Sequence, residues 1–179
     1  MRKLLMLFSI MLMSVMCFSL TTETNGNGTD WATSNNWDNG VPSIGDVVVV
    51  KHNMTIGVST NAEGGDITVN FGKTLTITGS LEFDGTLTNT GAITCTGDLE
   101  FSGTTTEDLD GSDFSVGTFT ISGSGGKLNI KNNFSVDGCT YLQAGTIETN
   151  GTGGTFILEE NAAGTKKGRI CEATGGEIN

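Results

Sequence analysis

Between Thr74 and Gly103 the chain reads TLTITGSLEFDGTLTNTGAITCTGDLEFSG, with a glycine at every sixth position: Gly79, Gly85, Gly91, Gly97 and Gly103. Between these glycines apolar residues alternate with polar ones, at Leu75/Ile77, Leu81/Phe83, Leu87, Ile93/Cys95 and Leu99/Phe101. A period of two within each hexad marks a strand with one face buried and the other in water. Glycine at the end of each hexad lets the backbone turn where a side chain would clash. With 27 glycines and a single proline in 179 residues, the composition favours short strands and tight turns over helices.

Such strands can be joined as an antiparallel meander or as the coils of a parallel solenoid. The triplet LEF occurs at Leu81–Phe83 and again, three hexads on, at Leu99–Phe101. A coil of three hexads therefore stacks Phe83 on Phe101, Leu81 on Leu99 and Ile77 on Cys95. Like over like is what a solenoid requires, because each repeat touches mainly its neighbours. The competing two-hexad match, TLTITG against TLTNTG, places Asn89 on Ile77 and Cys95 on Phe83, which packs worse. The fold class is read as all-β, a parallel β-helix (solenoid). In it Asn89 points inward and needs partners for its amide.

Elsewhere the period is looser. Phe119 follows Phe101 by one three-hexad coil. Ile121, Leu128/Ile130, Phe134/Val136, Leu142, Ile147 and TFILEE continue the pattern, and DVVVV, MTI and DITV supply earlier strands. This predicts five or six coils between Asp46 and Glu160. The inserts TTTEDLDGSD and SGSGG read as loops leaving the coil.

Positions 1–19 have a basic start at Arg2 and Lys3 and an apolar stretch from Leu4 to Val15, the pattern of a secretory signal peptide. Cys17 is preceded by Met16 instead of the small residue expected before a lipidated cysteine. The whole chain has nine basic against twenty acidic residues; without Arg2 and Lys3, seven remain, for a net charge of −13. That balance argues against a nucleic-acid partner, which needs a basic face. No other apolar run reaches membrane length, so the mature chain is expected to be exported, without a membrane span. Cys95, Cys139 and Cys171 are odd in number and widely spaced, which does not read as a disulfide framework or a metal motif. Cys95 reads as a small buried hydrophobe.

The stretch DWATSNNWDNGVPSIGDVVVV, Asp30 to Val50, resembles the W-x(n)-NW-x-x-G-x-P-x-x-x-D-x-V opening of bacterial cell-surface proteins. These are adhesin-like proteins of Bacteroidetes and some autotransporter passengers, with a right-handed, single-stranded parallel β-helix as body. GSDFSVGTFTISGSGGKLNIKNNFSVDGCTYLQAGTIETNG is similar to their repeats. The resemblance covers Asp30 to about Glu160 and implies architecture more than activity. It divides the mature chain into a capping segment at 20–45, coils at 46–160, and a truncated or continuing coil at 161–179. Family members usually run to many hundreds of residues and end in a sorting domain or a membrane barrel. The chain therefore reads as the N-terminal piece of a longer protein or a truncated reading frame.

Candidate sites are few. Trp31 and Trp37 are expected to close the open end of the solenoid, with sugar stacking as the alternative. Asp108, Asp110 and Asp113, with Glu107, form an oxygen-rich run of the kind that binds calcium, although the EF-hand spacing fails because Phe119 stands where glutamate is needed. Thr76/Thr78 and Thr94/Thr96 would stack into a small threonine array such as ice-binding β-helices carry. His52 is the only histidine, expected at an exposed turn, so nucleophilic triads find little support. Glu82 and Glu100 would stack on one outward face, and Lys127 and Lys131 are the basic residues near the middle coils. The resulting expectation is a secreted, non-enzymatic structural or adhesion segment without a cofactor, whose partners are glycans or other cell-surface components. The alternative is the N-terminal part of a polysaccharide lyase or hydrolase, with ice binding as a minor third reading.

Overall fold

The computed structural model describes residues 19–149, 154–158, 169–173 and 176–178. The expected leader, apart from Ser19, lies outside the described residues. Every named strand pairs in parallel, and after the first pair each strand meets the one three places along the chain. The chain thus winds as a β-solenoid of about five turns, visiting three faces per coil. One face has eight strands, Thr21–Glu23, Val47–Val50, Ile67–Val69, Leu87–Asn89, Thr106–Gly111, Lys127–Ile130, Thr146–Glu148 and Glu177–Ile178. The second has six, Asn61–Gly64, Ser80–Phe83, Asp98–Phe101, Thr118–Ile121, Cys139–Leu142 and Arg169–Ala173. The third is split into two sheets, Met54–Ile56, Thr74–Ile77 and Ala92–Cys95, then Phe114–Val116, Asn133–Val136 and Thr155–Leu158.

The three-hexad repeat holds where the sequence carries it. Leu81 pairs with Leu99 and Phe83 with Phe101, the two rings lying 5.4 Å apart, while Ile77 pairs with Cys95. All of these are buried. Other coils are longer. Asp98 pairs with Thr118, where a coil of three hexads would bring Val116. Leu87 pairs with Leu109, where such a coil would bring Thr105. As a result Phe119 sits over Leu99, not over Phe101, and Ile121 takes the place over Phe101. Phe119 instead meets Phe134 edge-to-face at 5.0 Å, in a cluster that Phe114 and Phe156 complete.

The hexad glycines are needed for stacking more than for turning. Gly79, Gly85, Gly91, Gly97 and Gly103 are all absent from the positive-φ positions. A Cβ on Gly79 would stand 2.1 Å from the Gly57 carbonyl oxygen, and one on Gly97 2.0 Å from that of Gly79. At the hexad glycines the corner therefore lies directly against the backbone of the coil below, too close for any side chain.

Two strands were hidden. Asn61–Gly64 buries only Ala62 as a hydrophobe. The acidic run expected as a loop is instead the strand Thr106–Gly111, with Leu109 inward and fully buried. The cysteine expectation also needs correction, since Cys139 and Cys171 form a disulfide, with Cα atoms 5.4 Å apart. They are one enlarged coil apart. Cys139 pairs with Arg169, and a bulge between the partners of Thr140 and Tyr141 leaves Cys171 as the extra residue. A solenoid coil brings distant residues side by side, so wide spacing in sequence is no bar to a bridge.

At the N-terminal end, Thr21–Glu23 continues the eight-stranded face below Val47–Val50, and Trp31 pairs its backbone N–H with the Thr55 carbonyl. Trp31 and Trp37 are buried and meet edge-to-face at 4.7 Å. The Trp37 indole N–H donates to the Trp31 carbonyl at 2.8 Å. Asn89 is inward and fully buried. Its Nδ2 donates to the Ser112 carbonyl at 3.2 Å, while its Oδ1 has no partner in the protein, a deficit of about 1–3 kcal/mol unless water fills it.

Candidate binding groove on the six-stranded face

Outward positions on a parallel sheet line up coil upon coil at about 4.8 Å. On the six-stranded face this register builds two columns, Asn61, Ser80, Asp98 and Thr118 in one and Glu63, Glu82, Glu100, Thr120 and Tyr141 in the other. Together with Gln143 they line a shallow groove of about 520 Å³. Glu82 and Glu100 do stack as their three-hexad spacing predicts. Glu63, one coil earlier, and Tyr141, two coils later, are reached through coils of other lengths, and the sequence period alone does not find them.

The electrostatics of the groove are one-sided. Among the described residues the ion pairs lie elsewhere: Lys51 with Glu23, Lys127 with Glu148 at 2.8 Å, and Lys131 with Asp108 at 2.6 Å. The Ser122 hydroxyl donates to Glu100. Glu82 and Glu100 stand half-exposed on a polar sheet surface. Lys127 and Lys131, the basic residues near the middle coils, each pair with a carboxylate outside the groove.

The calcium candidates are dispersed. Asp108 is half-buried, and that burial raises its pKa. Hydrogen bonds from Lys131 and Asn129 more than offset this and hold the carboxyl below the usual range. The Asn133 side chain and backbone N–H likewise lower Asp113. Asp110 is exposed and accepts from the Gly111 N–H. Each acid thus answers a protein donor, and no group of three potential metal ligands occurs among the described residues. Other carboxylates, Asp46, Asp66 and Asp84, also answer backbone donors at the coil corners. There Asp46 accepts from the Leu20 and Ser43 N–H groups and Asp66 from that of Thr86. Burial, with Asp66 and Glu107 nearby, raises Asp84 despite the Gly45 N–H. These groups tie coil corners together.

The threonine array extends to three coils, with Thr55, Thr76 and Thr94 in register. It ends at Thr94, where the third face breaks. His52 is exposed, its Nδ1 3.0 Å from the Thr24 carbonyl oxygen.

Comparison of the chain with protein-family models, curated proteins and solved structures finds no match.

Proposed function

We propose that the chain is an exported, non-enzymatic solenoid scaffold of the adhesin type, whose six-stranded face holds an extended polymer such as a glycan. The observation that carries this reading is the periodicity of the groove. Its polar residues recur coil by coil along the solenoid axis, from Asn61 and Glu63 to Thr118 and Tyr141. A surface with a repeat of its own suits a ligand with a repeat, whereas a small substrate calls for a concave, partly desolvated pocket. Tyr141, half-exposed, offers an aromatic face to a sugar ring, and the serine, threonine and glutamine side chains offer hydrogen bonds. The leader-like N-terminus and the likeness of Asp30–Val50 to surface-protein openings support export and a surface location.

The test is retention on a panel of immobilised glycans. The purified chain is expected to bind at least one, and Tyr141→Ala to weaken that binding several-fold, the loss of about 0.5–1.5 kcal/mol of aromatic contact. Thermal midpoints should stay close, because Tyr141 is not a core residue. Equal retention of both proteins, or no retention on any glycan, would remove the groove from the account.

One observation favours the runner-up, the N-terminal part of a polysaccharide lyase or hydrolase, in its hydrolase form. Glu82 and Glu100 neighbour each other on adjacent coils, where paired strands lie about 4.8 Å apart, and retaining glycosidases hold their carboxyl pair at about 5–5.5 Å.

A further inference from the structure

Two faces of the solenoid are continuous sheets from end to end of the described coils, but the third is not. Ala92–Cys95 and Phe114–Val116 belong to separate sheets, although they are neighbours in the stack. The chain is pinned on either side of this break. The Ser112 N–H donates to the Asn89 carbonyl at 2.6 Å, and the Thr118 N–H to that of Gly97 at 3.1 Å. Between these two bonds no strand ladder joins the coils.

Two further observations fall at the same place. Among the described residues, the buried hydrophobes are at most 3% exposed except for Ile93 at 8%, Cys95 at 7% and Phe114 at 7%. All three flank the break. Beside it, Asn89 and Asn132 both donate through Nδ2 to the Ser112 carbonyl, at 3.2 and 3.1 Å, which leaves both buried Oδ1 atoms without a protein partner. The strand that feeds the break is also the longest among the described residues. It runs for six residues, Thr106–Gly111, and ends in Gly111 at φ +101°. The offset between the two coils also changes across the break, from 22 residues at Asn89–Gly111 (111 − 89) to 20 at Asp98–Thr118 (118 − 98), and such a change of register leaves the two strands out of step for a parallel ladder.

We infer that this break is a built-in slit, at which the third face opens locally while the other two faces stay paired. Opening needs no rupture of ladder hydrogen bonds between Ala92–Cys95 and Phe114–Val116, and it gives water a route to the orphaned amide oxygens. It also exposes Cys95, the one free thiol among the described residues. In the closed state Cys95 is buried and its thiol donates to the Gly97 carbonyl at 3.7 Å. Burial pushes its pKa up to about 11, so it reacts only when the slit opens. The cost of such an opening lies well below that of global unfolding, as for other local units with few backbone bonds to break.

The test is thiol labelling of the intact chain with N-ethylmaleimide under native conditions, with Cys95 modification followed by peptide mass spectrometry as urea rises below the unfolding transition. Amide hydrogen exchange is read on the same samples. The slit predicts Cys95 labelling that is almost independent of urea. It also predicts exchange at residues 93–95 and 114–116 about ten-fold or more faster than at 75–77 and 134–136, which lie within the ladders on either side. Labelling with the full urea dependence of global unfolding, and equal protection in all four segments, would overturn it.

Discussion

Replacing Phe101 with alanine is expected to lower the free energy of unfolding by roughly 3–5 kcal/mol, the usual range for truncating a buried aromatic. Thr96→Ala should change it by no more than about 0.5 kcal/mol. Phe101 is fully buried between Phe83 below and Ile121 above. The neighbouring coil corners have no spare side chain to fill the cavity, since a Cβ on Gly103 would lie 2.6 Å from the Phe101 ring. Thr96, in contrast, is exposed just past the end of its strand. Urea denaturation of the two variants is the check. Comparable shifts would mean that the inward and outward faces are misassigned.

Gly97→Ala should be nearly as costly, about 3 kcal/mol, at the upper end of overpacking effects. The added methyl would meet the Gly79 carbonyl oxygen at 2.0 Å and the Thr78 carbonyl carbon at 2.9 Å. Both are backbone atoms of the coil below, so no rotamer change relieves the clash. The coils would have to separate, at the expense of the Asp98 N–H bond to the Gly79 carbonyl at 2.9 Å. The control is Gly72→Ala, at a turn with nothing within 4 Å of the added methyl and φ at +72°, where the cost is that of the backbone conformation alone, about 1–2 kcal/mol. A Gly97→Ala variant no less stable than Gly72→Ala would show that close stacking does not explain the hexad glycine.

The parallel solenoid was legible because four of the five consecutive hexads carry full apolar pairs, which aligns Leu81 with Leu99 and Phe83 with Phe101 without further information. What stayed hidden was hidden for physical reasons. Asn61–Gly64 and Thr106–Gly111 each bury a single hydrophobe, Ala62 or Leu109, and one apolar residue has no period. The stacking of Phe119 was misplaced because some coils exceed three hexads, and the shift of two between Asp98 and Thr118 (20 residues against 18) moves Phe119 from Phe101 to Leu99. The Cys139–Cys171 bridge depends on a bulge in a longer coil, which spacing does not encode. In the groove, Glu82 and Glu100 could be paired from the three-hexad period, while Glu63 and Tyr141 could not. The acidic run at Asp108–Asp113 read as a cation loop because its donors, Lys131, Asn129 and Asn133, lie one coil later in the chain.

The account turns on whether the groove holds a polymer without cutting it. The most direct measurement is product release from soluble pectin, alginate and related polysaccharides incubated with the purified chain, followed as new reducing ends and as unsaturated ends. The scaffold reading predicts no release above that of buffer, for the wild-type chain and for Glu82→Gln and Glu100→Gln alike. Release by the wild-type chain that disappears in either variant would contradict it and assign the Glu82–Glu100 pair to a hydrolase or lyase.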